Sequence, residues 1–324
     1  MDDTKFQPTG LILPDERTDE QNAEHARAMA AMPKFALQYT APPGPVKIIL
    51  TDFWKNPDVV ADVGIEFNGF YQFTGSCVGA SGGNGAFTLS AVQRTIADNP
   101  TKAFIPFWPF AYGTTRYMEG DRGQGEGAVD SIMGQVLAKV GSLESTHPGL
   151  PQFKRTADGM QLSKTLEMQW SDGGRIDPKW KPLAAPQTMT VAPLSTPDDI
   201  KACIINGYPV LDGCANYVGN GHIKGTGENT YVTGRYDSRG GHSTCFLGYW
   251  DHPDDGPLFL YSNQWATSTY PIDPAGGGRC CVWLPLSEVE KLFRSGGNNG
   301  ETMGLSHLNY FPAQPKVLDW WIAP

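Results

Sequence analysis

Gln72-Phe73-Thr74-Gly75-Ser76-Cys77-Val78-Gly79-Ala80 sets one thiol among small residues, directly ahead of a change in sequence period. Beyond the glycine-rich run 79–85, which reads as a turn, Phe87, Leu89, Val92 and Ile96 recur at roughly helical spacing until Asn99-Pro100. The pattern predicts a buried helix with Cys77 at or near its start. A thiol is a poor nucleophile until ionised, and a helix N-terminus or a neighbouring imidazolium lowers its pKa from about 8.5 to roughly 3.5–7.5. Gly75 and Gly79 leave the position clear of large neighbours, as close approach of a substrate backbone requires. A cysteine beside an apolar helix is otherwise ordinary core material, so the chemistry depends on what the rest of the chain supplies.

Two further islands supply it. Of six histidines, His242 alone follows a Gly-Gly pair (Gly240-Gly241) and opens an apolar strand over 242–250. His222 lies in a glycine-rich loop with no strand to fix it. Ser262-Asn263-Gln264-Trp265 ends a second strand. An amide oxygen such as that of Asn263 can hold an imidazole in one tautomer without adding charge. Trp265 could cover that hydrogen bond.

In their joint order, these blocks resemble the papain-like (C1-type) cysteine peptidase family. The matching stretches are Gly75-Ser76-Cys77-Val78-Gly79-Ala80 with an upstream glutamine, Tyr208-Pro209-Val210-Leu211 ahead of the Gly-Gly-His segment, and Leu260-Tyr261-Ser262-Asn263-Gln264-Trp265-Ala266. The resemblance implies Cys77 as nucleophile, His242 as base and acid, Asn263 as the orienting amide and Gln72 as oxyanion donor beside the Cys77 N–H. It implies an α+β fold with a helical lobe, a β-barrel-like lobe and the active-site cleft between them. Acyl transfer through a thioester follows, with a peptide or protein as substrate and no cofactor or metal. Thr74 stands where the family signature has its first cysteine and Val78 where it has an aromatic, so a family disulfide is missing. Gln72 lies five residues before Cys77 rather than the family's usual six. His242 is 165 residues beyond Cys77, against about 130–150 in the compact enzymes, which implies loop insertions.

Composition narrows the alternatives. At 324 residues and 40% apolar, the chain can bury a large core. A net charge of -9 without clustered Lys and Arg argues against nucleic-acid binding. No stretch reaches the roughly 18 apolar residues of a membrane span, and the start MDDTKFQPTG has no signal-peptide pattern; both point to cytoplasmic synthesis. The six cysteines lack any C-x-x-C pair and read as mostly reduced. Gly123-Gln124-Gly125-Glu126-Gly127 lacks the strand–turn–helix setting of a phosphate cradle, and Asp251, Asp254 and Asp255 read as a solvated turn.

Three regions are expected: an N-terminal arm over 1–45, a helical lobe over 46–196 carrying the nucleophile, and a β-rich lobe over 197–324 carrying the base and the orienting amide. Within them, 15–32 reads as a surface helix, 46–50 as a strand, 128–140 as a helix and 198–206 as a helix, with 213–241 rich in loops. The stretch 145–196 shows little periodicity. The apolar end Asp319-Trp320-Trp321-Ile322 either folds onto the body, which is preferred, or docks on an assembly partner. The competing reading is a papain-like scaffold with little turnover, serving as a structural component of a bacteriophage virion. A transglutaminase would place an acid where Asn263 stands.

Overall fold

The computed structural model describes residues 10–34, 44–96, 101–121, 126–172, 178–294 and 301–309. The first half holds helix α1 (Asp19–Ala31), strand β1 (Lys47–Ile49), and helices α2 (Pro57–Val63), α3 (Cys77–Ile96), α4 (Trp108–Met118) and α5 (Asp130–Lys139). Next come the small hairpin β2 (Lys154–Thr156) and β3 (Gly159–Gln161), then α6 (Lys164–Ser171) and the single turn α7 (Lys181–Ala184). The second half runs β4 (Met189–Pro193), α8 (Pro197–Ile205), β5 (Val210–Lys224), β6 (Tyr231–His252) and β7 (Gly256–Ser262), ending with β8 (Cys281–Pro285), α9 (Leu286–Val289) and β9 (Glu301–Leu308). The aromatic end lies outside the described residues, as do Gly123, Gln124 and Gly125. No described helix is long and apolar enough to cross a membrane.

Helix starts follow local chemistry. Thr18 caps α1 in a box with Gln21, and Thr196 caps α8 in a box with Asp199, with Pro197 in the first turn. Each satisfies backbone N–H groups that a helix start leaves without partners.

The expected turn over 79–85 does not exist; α3 runs unbroken from Cys77. Glycine inside a helix costs roughly 0.5–1 kcal/mol against alanine, so something must offset four of them. Close packing does. A Cβ on Gly79 would lie 2.6 Å from Tyr112 Cβ, one on Gly83 2.7 Å from Trp108 Cβ, and one on Gly85 2.7 Å from Leu305 Cδ1. The bare face lets α4 and the sheet close on α3, while Phe87, Leu89 and Val92 are fully buried. Burial of each such side chain stabilises by about 1.5–3 kcal/mol.

The loop-rich reading of 213–241 also fails. Those residues form most of β5 and β6, a long antiparallel hairpin with register shifts near Cys214, Tyr217 and Val218. Gly221 faces Gly234 across it, where Val232 and Val282 crowd in. Small residues in a strand mark such close approach as well as turns.

The sheet has seven strands in the order β4-β9-β5-β6-β7-β8, with β1 antiparallel on β6. It curls enough for β8 to meet β6 again at one parallel bridge, Thr233 opposite Trp283. The result is an α+β fold with a large, mostly antiparallel sheet. Strands on both sides of residue 196 build it, because β1 and β4 come from the first half.

Candidate active site

Cys77 heads α3, and the loop leading to it is held at nearly every backbone group. Glu167, on α6, accepts from the N–H groups of Phe73 and Thr74, from the Thr74 hydroxyl at 2.5 Å and from the Ser76 hydroxyl at 2.7 Å. Glu126 accepts the Gly75 N–H at 2.6 Å, and the Tyr112 hydroxyl donates to the Gly75 carbonyl at 2.8 Å. Gln72 donates its backbone N–H to Gln264 and its side-chain amide to the Thr74 carbonyl at 2.9 Å. Arg279 reaches in from the other side, its guanidinium bonding the carbonyls of Asn68, Phe70 and Trp265. Helix and strands are thereby tied across the site.

The base side is built on register. His242 pairs opposite Cys214, and Ser262 pairs opposite Cys245 farther along β6, which brings the residue after β7 back beside the ring. The His242 Nε2–H donates to Asn263 Oδ1 at 2.9 Å. Asn263 cannot present its other end, because its Nδ2 donates to the Tyr270 hydroxyl at 3.0 Å and its Oδ1 also accepts the Gln264 N–H. Trp265 stacks on the imidazole at 4.5 Å between centroids, with Tyr217 edge-on to both rings. Nδ1 of His242 is buried and has no hydrogen-bond partner among the described residues. Its lone pair is left for a proton.

Ser243, the next residue, turns its backbone N–H to the Cys77 sulfur, so strand β6 passes beside the thiol. The Ser243 hydroxyl continues inward to Asp130 at 2.9 Å and Ser81 at 2.6 Å.

The chain's own N-terminal segment covers the site. Gly10 and Leu11 both donate to the Gly241 carbonyl, Ile12 donates to the Ala128 carbonyl, and Ala128 donates to Gly10. The Gly10 N–H faces the Cys77 sulfur. A Cβ at position 10 would sit 1.7 Å from the Gly75 carbonyl oxygen. Behind this segment, Arg17 pairs with Glu301 at 2.5 Å and His25 with the same carboxylate at 2.9 Å, while Glu301 accepts the Ser131 N–H.

Cys77 and His242 are both 0% exposed. Burial, with Asp130 nearby, pushes the thiol up to about 12 in spite of the facing N–H groups, and burial lowers His242 to about 4 in spite of Asn263. Both groups are neutral at pH 7. No thiolate–imidazolium pair is formed in this arrangement.

The structure thus joins His242 to Asn263 and Trp265, sets Cys77 beside Ser243, and holds Gln72 in the loop ahead of the thiol. Glu167, Glu126, Tyr270, Arg279 and the 10–12 segment had no sequence signal; each acts through a distant partner. All six cysteines are free.

A helical layer against a coiled antiparallel sheet, with a thiol at the head of the central helix, is the papain-like fold. No protein-family model and no curated protein matches the sequence. Among solved structures the chain is similar to xylellain, a cysteine protease from Xylella fastidiosa, at 17% identity and TM-score 0.53 over 87% of this chain and 89% of that one. It is similar to digestive procathepsin L 3 of Tenebrio molitor larval midgut at 11% identity and TM-score 0.52 over 89% and 79%. The match to procathepsin B S9 from Trypanosoma congolense has 11% identity and TM-score 0.50 over 90% and 89%.

Proposed function

We propose that this chain is a cysteine peptidase held latent by its own N-terminal segment. The observation that carries the reading is the His242 ring: Nε2–H fixed on Asn263, Nδ1 bare, and the next residue's N–H on the Cys77 sulfur. Cys77 is then the nucleophile, His242 the base and acid, and Asn263 the orienting amide. The structural neighbours, a cysteine protease and two procathepsins, agree with it.

With 10–12 withdrawn, water and substrate reach the thiol, and the proton passes from Sγ to Nδ1. The thiolate attacks the peptide carbonyl and the oxyanion takes the Cys77 N–H and the Gln72 amide, which must exchange the Thr74 carbonyl for it. His242 returns the proton to the leaving amine, and water resolves the thioester. On this reading 1–45 is a regulatory arm, and the sides of the cleft come from 46–196 and 197–324. The virion-component alternative has no observation in its favour among the described residues.

Profiling a peptide library with protein whose segment has been displaced by Gly10→Val tests the reading. Cleavage lost in Cys77→Ser is expected; no cleavage from a folded, unsealed protein would overturn it. Gln72→Ala should lower turnover by about 100- to 1,000-fold.

A further inference from the structure

We propose, on the reading of Cys77 as nucleophile, that Glu167 is its positioning residue: one ionised carboxylate holds the loop Phe73, Thr74, Gly75 and Ser76 in the shape that aims the thiol and its backbone N–H.

Four donors from one short loop converge on this carboxylate, two backbone and two hydroxyl. Two of its partners are backbone N–H groups, which can only donate, and both hydroxyls are placed to donate, so an ionised carboxylate accepts all four bonds where a protonated one would have to turn a hydroxyl round. The ionised form fits, since an anion accepts several bonds at once and charge-assisted bonds are roughly twice as strong as neutral ones. Burial raises the group's pKa and outweighs the four donors, which lower it.

Its support is rigid. Ser163 caps α6 one turn earlier, and Leu166 and Trp170 anchor that helix against Phe107, Leu162 and Trp180. Thr74 occupies the position where the resembling signature has a cysteine. A carboxylate from α6 holds the loop at the place a covalent tie would otherwise hold it. The loop then passes directly into α3, whose first residue is Cys77. Loss of the tie therefore changes the direction of the thiol before it changes the core.

The test compares full-length chains carrying Gly10→Val, alone and with Glu167→Gln or Glu167→Asp, each checked for folding by urea denaturation. Amide exchange at Phe73 and Thr74 reads the clamp without any chemistry. It should quicken about 10- to 100-fold in Glu167→Gln, the range that a lost charged hydrogen bond implies, while the far half of α3 stays protected. The pH profile of Cys77 alkylation by iodoacetamide should move to higher pH in Glu167→Gln and return partway in Glu167→Asp. Unchanged exchange at Phe73 and Thr74, or an unchanged profile, would overturn the proposal. So would a loss of protection spread evenly through α3. If Glu167→Gln does not fold, Thr74→Val and Ser76→Ala each remove one donor and should reproduce the shift in smaller measure. A thiol that stays as slow as a free cysteine in the Glu167-intact, unsealed chain, with the loop still protected, would retire the peptidase reading and this proposal with it.

Discussion

Around Cys77 the backbone hangs on ionisable groups, Glu167 and Glu126 taking three amides and two hydroxyls between them. Around His242 the contacts are neutral: an amide, a phenol and a stacked indole. The difference teaches that the two sides should fail under different conditions. Because burial raises the Glu167 pKa, its carboxylate takes up a proton earlier than an exposed one as pH falls, and then accepts fewer bonds. The amide and phenol beside His242 do not titrate there.

The largest expected effect comes from unsealing the nucleophile side alone. Gly10→Val cannot keep the segment against the Gly75 carbonyl, so the thiol regains solvent and its pKa falls from about 12 to below that of a free cysteine. Alkylation by iodoacetamide at pH 7 should quicken about a thousandfold. An unchanged rate would show that the deep site, rather than the segment, keeps the sulfur neutral.

On the base side, Asn263→Ala leaves the Nε2–H without its acceptor and frees the ring. In the unsealed protein kcat/KM should fall by about 10- to 100-fold, with Tyr270→Phe costing less because it only frees the amide to turn. Equal losses from both would mean that Tyr270 does more than orient Asn263.

Stability against pH separates the regions next. His242 is held near 4 in the fold against about 6.5 unfolded, so its neutral burial stabilises fully above pH 6.5 and that contribution is lost as pH falls toward 4. Glu119, which caps the end of α4 and accepts the Val129 N–H, is raised to about 8 by burial and acts in the opposite direction: its contribution is complete below about pH 4.5 and is lost as pH climbs through 8. Thermal midpoints of His242→Asn should lose the acid slope, and those of Glu119→Gln the alkaline one. Either slope persisting would assign it to another group.

The smallest effect should come from Ser76→Ala, which removes one of the donors on Glu167. A loss of about 1.5 kcal/mol, the low end for a bond to a charged group, is expected in a urea titration. A loss several times larger would mean the loop has no spare restraint.

The helix behind Cys77 was legible because Phe87, Leu89 and Val92 repeat at its period, and the strand ahead of Asn263 because it ends where the apolar run does; His242, expected to open a strand, lies instead in the middle of β6. The glycines of 79–85 and 213–241 misled, since a residue without a side chain marks both turns and tight contacts. Only the neighbours, Trp108 and Tyr112 in one case and Val232 in the other, decide between them. Glu167 sits in a stretch without periodicity, and its role exists only once a loop more than 90 residues earlier in the chain is folded onto it. Gly10 reads as an ordinary terminal glycine until Gly75 is placed against it.

The residues that cover Cys77 hold themselves there with neutral backbone bonds, while their ionic anchor lies elsewhere, where Arg17 and His25 meet Glu301 on β9. Despite its burial, the hydrogen bond from His25 and the Arg17 guanidinium hold Glu301 below the usual carboxylate range, so the anchor keeps its strength until the medium is well acidified. Uncovering the sulfur therefore needs no release of that mooring: the short end can part from Gly75 while α1 stays docked, so thiol reactivity should rise before any signal from the helix is lost.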